Sequence, residues 1–198
     1  VDELTLQTVE LIKSQGAEVV ELDFDLPREI QDASFTVLLY EFKDGLNSYF
    51  QGLGPEAPVH SLEELIRLNL ADSTELRYFD QKLLLMAQEK GGPDSPEYLG
   101  ALETIRKGAR EDGIDKVMND NRLDALMLPT GSPAWKTDMV NGDHYMGGNS
   151  SVAAVAGYPS ITVPMGFIGG LPVGISFIGR AWSEPLLFEI AYGFEQGT

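Results

Sequence analysis

The hydrophobic positions of this chain change their period along its length. Leu4, Val9, Leu11 and Ile12 recur at helical spacing and stop at Gly16, a good helix C-terminal residue. Ala17-Glu-Val-Val-Glu-Leu22 then reads as a short strand, so that helix feeds strand in α/β order. From Gln31 to Phe50, the spacing of Phe35, Leu38, Leu39, Phe42 and Leu46 predicts an amphipathic helix, ended by Gly52, Gly54, Pro55 and Pro58. Ser61-Leu-Glu-Glu64 has capping-box spacing and predicts a helix to Ala71. Thr74 is placed as the cap of the next helix, through Lys90. Ser95-Pro96 opens a long helix predicted to reach Asn121, with Gly108 and Gly113 as its weak points.

Beyond this the segments shorten. Asp124-Ala-Leu-Met-Leu128 reads as an apolar strand of the kind buried on both faces. Asn149 to Ala156 is a small-residue helix, and Ile161–Val163 and Val173–Ile178 are strands. Gly169-Gly170 fits a two-residue hairpin turn, because both positions tolerate positive φ. Ser183, with Pro185 behind it, opens a closing helix through Phe194. The predicted class is α/β, helices packed around a mixed β-sheet, with 1–122 a helix-rich part and 123–198 a sheet-forming part of one domain. The helix-rich part offers a single strand, so the sheet is expected to need strands from sequence outside this chain.

Composition narrows the partners. With 43% hydrophobic residues over 198 positions the chain can build a core. The formal net charge is −17, and 26 of the 31 acids against 12 of the 14 bases precede Pro129. A surface of that sign repels phosphate backbones and anionic lipid, so neither nucleic acid nor a membrane is expected as a partner. Absence of cysteine excludes disulfides and thiol catalysis and is compatible with a cytoplasmic location. Val1-Asp2-Glu3-Leu4 opens directly into an acidic amphipathic pattern and reads as a cut inside a longer protein.

Chemistry is hard to find. Gly147-Gly-Asn-Ser-Ser151 with Asp143 and His144 upstream suggests a serine hydrolase, but no G-x-S-x-G elbow surrounds either serine. The apolar run Val152–Ala156 makes Ser150 and Ser151 read first as helix N-terminal residues, then as substrate contacts, and last as nucleophiles. His60 reads as solvated, and His144 with Asp138 and Asp143 lacks metal-ligand spacing. No metal and no cofactor is expected, and the residues alone support no catalytic centre.

A resemblance supplies the rest. Asp124-Ala-Leu-Met-Leu-Pro-Thr130 and Ala153-Ala-Val-Ala-Gly-Tyr-Pro-Ser-Ile-Thr-Val-Pro-Met-Gly166 are followed by Gly170-Leu-Pro-Val-Gly174, Ile178-Gly-Arg180 and Phe194-Glu-Gln196. In order and spacing these blocks resemble the C-terminal end of the amidase signature family. Gly131-Ser-Pro-Ala-Trp135 and Ala181-Trp-Ser-Glu-Pro185 are similar to bacterial peptide amidases within it. The resemblance implies hydrolysis of carboxamide C–N bonds by serine acylation. It also implies a lysine, a bridging serine and a nucleophilic serine in an N-terminal half that has no match here. No catalytic residue is transferred, and this chain alone is expected to be inactive. Its partners are then the missing N-terminal catalytic part and a small-molecule or peptide amide substrate, with self-association of a truncated sheet also expected. The loop after Thr130 leaves the C-terminal end of a strand, where α/β sheets place ligands. Thr130, Trp135, Met146 and Asn149 are therefore the candidate pocket residues. The alternative reading is a non-catalytic binding or assembly module on an amidase scaffold, and behind it a small hydrolase using His144 and Ser150.

Overall fold

The computed structural model describes residues 1–198, which group into two compact units: Val1–Leu26 with Arg106–Thr198, and Pro27–Ile105. The second unit is helical. Its elements are α2 (Arg28–Gly52), α3 (Leu62–Ala71), α4 (Lys82–Gln88) and α5 (Pro96–Ile105). Leu39, Leu62, Ile66 and Ala87 form its core, with Leu46, Leu65, Leu84 and Met86 packed against them.

Side-chain hydrogen bonds hold the start of α3 and the end of α4. The Ser61 hydroxyl accepts from the Glu64 N–H at 3.2 Å, as the capping box predicts. The Glu64 carboxylate reaches one residue further back than that motif requires, to the His60 N–H at 2.7 Å. Asn47 of α2 accepts from the Leu62 N–H at 2.8 Å, joining two helices through an otherwise orphaned donor. At the end of α4, Lys43 donates to the carbonyls of Gln88 and Lys90 at 2.9 and 2.5 Å. The expected helix from Thr74 does not form there. Asp72 takes the Thr74 N–H at 2.8 Å in a local turn, and α4 starts only after Asp80 accepts from Lys82.

The first unit holds the sheet. Its elements are α1 (Asp2–Ser14), a π-helix (Arg106–Ile114), α6 (Asp115–Asp120), β1 (Leu126–Pro129), α7 (Ser150–Ala156), β2 (Ser160–Ile168), β3 (Leu171–Ile178) and α8 (Glu184–Gly197). The predicted strand at Ala17–Leu22 is absent. No strand in the chain lies beside it, and Val20 and Leu22 remain exposed. The continuous helix expected to Asn121 also breaks its winding at the expected glycines. A Cβ on Gly113 would lie 2.6 Å from the Gly108 carbonyl oxygen, and Gly113 itself is non-helical at φ −99°, ψ −112°.

The sheet runs in the order β1-β3-β2, and both pairings are antiparallel, where a mixed sheet was expected. The α/β reading, helices against a sheet, stands. Gly169 and Gly170, at φ 57° and 82°, close the β2–β3 hairpin in two residues. The predicted strand at Ile161–Val163 is part of a longer one that passes Pro164 and Gly166 through a register shift. Val163, Ile175 and Phe177 point to one face, where Leu187, Ala191 and Phe194 of α8 and Leu11 and Ile12 of α1 cover them. No helix is long and apolar enough to cross a membrane.

Candidate functional site

The sheet face away from this core carries hydroxyls. Alternation along β3 puts Gly174, Ser176 and Ile178 there. Ser176 is 1% exposed, and its hydroxyl lies 2.8 Å from that of Thr130 and 2.9 Å from that of Thr162. Gly174 makes the row possible. A Cβ there would lie 2.8 Å from Thr162 Cγ2 and 2.9 Å from Thr130 Oγ1. The Thr130 N–H also donates to the Gly174 carbonyl at 2.8 Å, so the end of β1 is held to β3 by backbone and side chain together.

Asn149 closes the loop that leaves this strand. Its Nδ2 donates to the carbonyls of Leu128 and Pro129 at 3.1 and 2.7 Å, and its backbone N–H donates to the Thr130 carbonyl at 3.2 Å. A bridge between Gly131 and Gly148 lies next to it. The amide nitrogen of Asn149 is thus committed to the end of β1, leaving Oδ1 as the side chain's free polar atom.

Between these ends, residues 135–139 and 141–144 line an open cavity of about 740 Å³, and the ring of Trp135 in that lining stands 5.6 Å from the ring of Tyr145. The Asp138 carboxylate accepts from the backbone N–H groups of Val140 and Asn141, each at 2.9 Å, and from Asn141 Nδ2 at 3.0 Å. Bonds from Asn141, with the Val140 N–H, hold its pKa below the usual carboxylate range. That carboxylate is committed to a turn and is a poor base.

Of the expected pocket residues, Thr130 and Asn149 meet at the strand end and Trp135 lines the cavity. Met146, 71% exposed, stands outside the lining. Ser150 opens α7, and neither its hydroxyl nor that of Ser151 hydrogen-bonds to His144. Sequence reasoning missed Ser176 and Tyr145. Ser176 had a signal, since a hydroxyl alternating with Ile175 and Phe177 must face away from their core. Tyr145 had none, because its contact with Trp135 spans an irregular loop. Ser132 was also missed, and its buried hydroxyl has no partner.

Comparison with known proteins places the chain in a family. The Amidase family model matches residues 1–188. A peptide amidase crystallised with the competitive inhibitor chymostatin superposes with a TM-score of 0.91 at 44% identity, over 98% of this chain and 40% of that one. The native peptide amidase of Stenotrophomonas maltophilia gives 0.88 at 43% identity, over 98% and 39%. A probable amidase of Arabidopsis thaliana is 38% identical over 164 residues, 81% of this chain and 28% of that protein. The chain therefore spans less than half the length of these relatives, and it belongs to the amidase signature family.

Proposed function

We propose that this chain is the C-terminal part of an amidase that cleaves carboxamide C–N bonds by serine acylation, with the acylated serine and its lysine supplied by the part outside these residues. The observation that carries the reading is the 44% identity over nearly the whole chain to 40% of a peptide amidase. In acyl transfer the serine oxygen bonds to the amide carbon, the amine leaves with a proton, and water then releases the acid and frees the serine. This chain contributes no nucleophile. Its part is the loop from Thr130 to Asn149, a wall for the acyl group whose position the Thr130–Ser176–Thr162 hydroxyls and the Asn149 amide hold. The substrate class is a peptide or small-molecule carboxamide, and the protein's partner is the catalytic part of the same enzyme.

The test uses the full-length enzyme that carries this sequence. Ammonia should be released from a C-terminally amidated peptide, and a fluorophosphonate should label a serine outside residues 1–198. Label on Ser150 or Ser151, or amide hydrolysis by the 198-residue chain alone, would overturn the reading.

A further inference from the structure

Trp182 combines features that conflict unless something covers it. It is 89% exposed, and its φ of 64° is one of two positive values at non-glycine residues. The Ser183 N–H donates to the Arg180 carbonyl at 3.2 Å, closing a four-residue turn in which Trp182 is the third residue. Positive φ at that place ordinarily selects glycine or asparagine. Here the chain spends strain to project its largest side chain into solvent.

The turn is also rigid. The Ser183 hydroxyl donates to the Arg180 carbonyl at 2.8 Å, Arg180 Nη1 donates to Asn119 Oδ1 at 2.8 Å, and the Ser183 carbonyl starts α8 by accepting from Leu187. Beside Trp182 a cleft of about 400 Å³ is lined by Arg110, Tyr158, Pro159 and Glu184. The Arg110 guanidinium stands 5.8 Å from the Tyr158 ring centre, while its Nε donates to the Ala156 carbonyl at 2.6 Å. Tyr158 in turn donates to Asp115 at 2.7 Å. Neither Arg110 nor Arg180 forms an ion pair. A single exposed hydrophobic residue needs no explanation. Tryptophan, tyrosine and arginine held together on a fixed framework are the composition of an interface hot spot.

We infer that Trp182, with Arg110 and Tyr158 beside it, is the anchor by which this chain packs against the remaining part of the same amidase. The inference rests on the chain being part of a longer amidase. More than half of each relative's chain lies outside the matched region, enough to supply the cover. A glycine-type turn position filled by tryptophan is explained when burial of the indole offsets the strain.

The experiment is hydroxyl-radical footprinting of the full-length enzyme, with N-acetyltryptophanamide in the same sample as a fully exposed standard. Trp182 should oxidise about tenfold more slowly than the standard or slower still, as for a residue exposed only by local opening. Oxidation within about twofold of the standard overturns the inference. Protection lost on dilution also overturns it, since a second copy would then be the cover. Amidase activity in the same sample reports on the proposed function separately. Trp182→Gly gives a second readout by sign. It should lower the full-length enzyme's thermal midpoint by about 2 °C or more, with Trp182→Phe retaining most of the stability. An idle tryptophan predicts the reverse, because glycine relieves the turn and raises the midpoint.

Discussion

Ser176 and Thr130 share a hydrogen bond of 2.8 Å between two hydroxyls, one of them on a residue that is almost wholly buried. Thr162 completes the row on the other side at 2.9 Å. Ser176→Ala removes the middle hydroxyl, and both threonines lose their partner. Because Thr162 is exposed, water can replace one bond, so the loss should be about 1–2 kcal/mol in denaturant unfolding. A loss below about 0.3 kcal/mol would mean that the row does not hold the strand end.

Gly174 is needed for the same row. Gly174→Ala places a methyl group against Thr130 and Thr162, and overpacking should cost about 1–3 kcal/mol. Thr162→Ser removes the Cγ2 methyl that the new Cβ would strike, so the double variant should recover part of the loss. Full additivity of the two substitutions would show that they do not meet.

Sequence legibility divides along physical lines. Positions whose structure is set by neighbours in the chain could be read: the Ser61 cap, the Gly169-Gly170 turn and the helix opened by Ser183. The strand expected at Ala17–Leu22 could not, because strand formation depends on a partner that these residues do not provide. Thr74 has the residue type of a cap, but the neighbouring Asp72 carboxylate takes its N–H into a local turn instead. The site followed the same division. Thr130 and Asn149 stood out as neighbours of a strand end and a helix start, whereas the Trp135–Tyr145 contact depends on how a loop folds back.

Asn149 gives a test of amide orientation. Its Nδ2 faces two carbonyl oxygens, at 3.1 and 2.7 Å. Asn149→Ala loses these bonds and should cost about 1–2 kcal/mol. Asn149→Asp keeps the shape but sets a carboxylate against the same carbonyls, so it should be worse than alanine at neutral pH and improve on acidification as the carboxyl protonates. Equal losses for the two variants would show that the amide is turned the other way.

Tyr158 makes stability sensitive to alkali. Burial and then its bond to Asp115 push its pKa up from 10.0 to about 12. A raised phenol pKa means that the folded state favours the neutral form. The contribution is therefore fully present below the unfolded pKa of about 10 and is lost as pH rises from there through about 12. Tyr158→Phe keeps the ring beneath Arg110 but has no proton to lose, so its thermal midpoint should fall less steeply than the parent's across that window. The variant should be less stable than the parent at pH 8, where the Asp115 bond is intact, and the gap should narrow toward pH 12. Parallel curves for the two proteins would mean that the Tyr158–Asp115 bond carries no pH-linked stability.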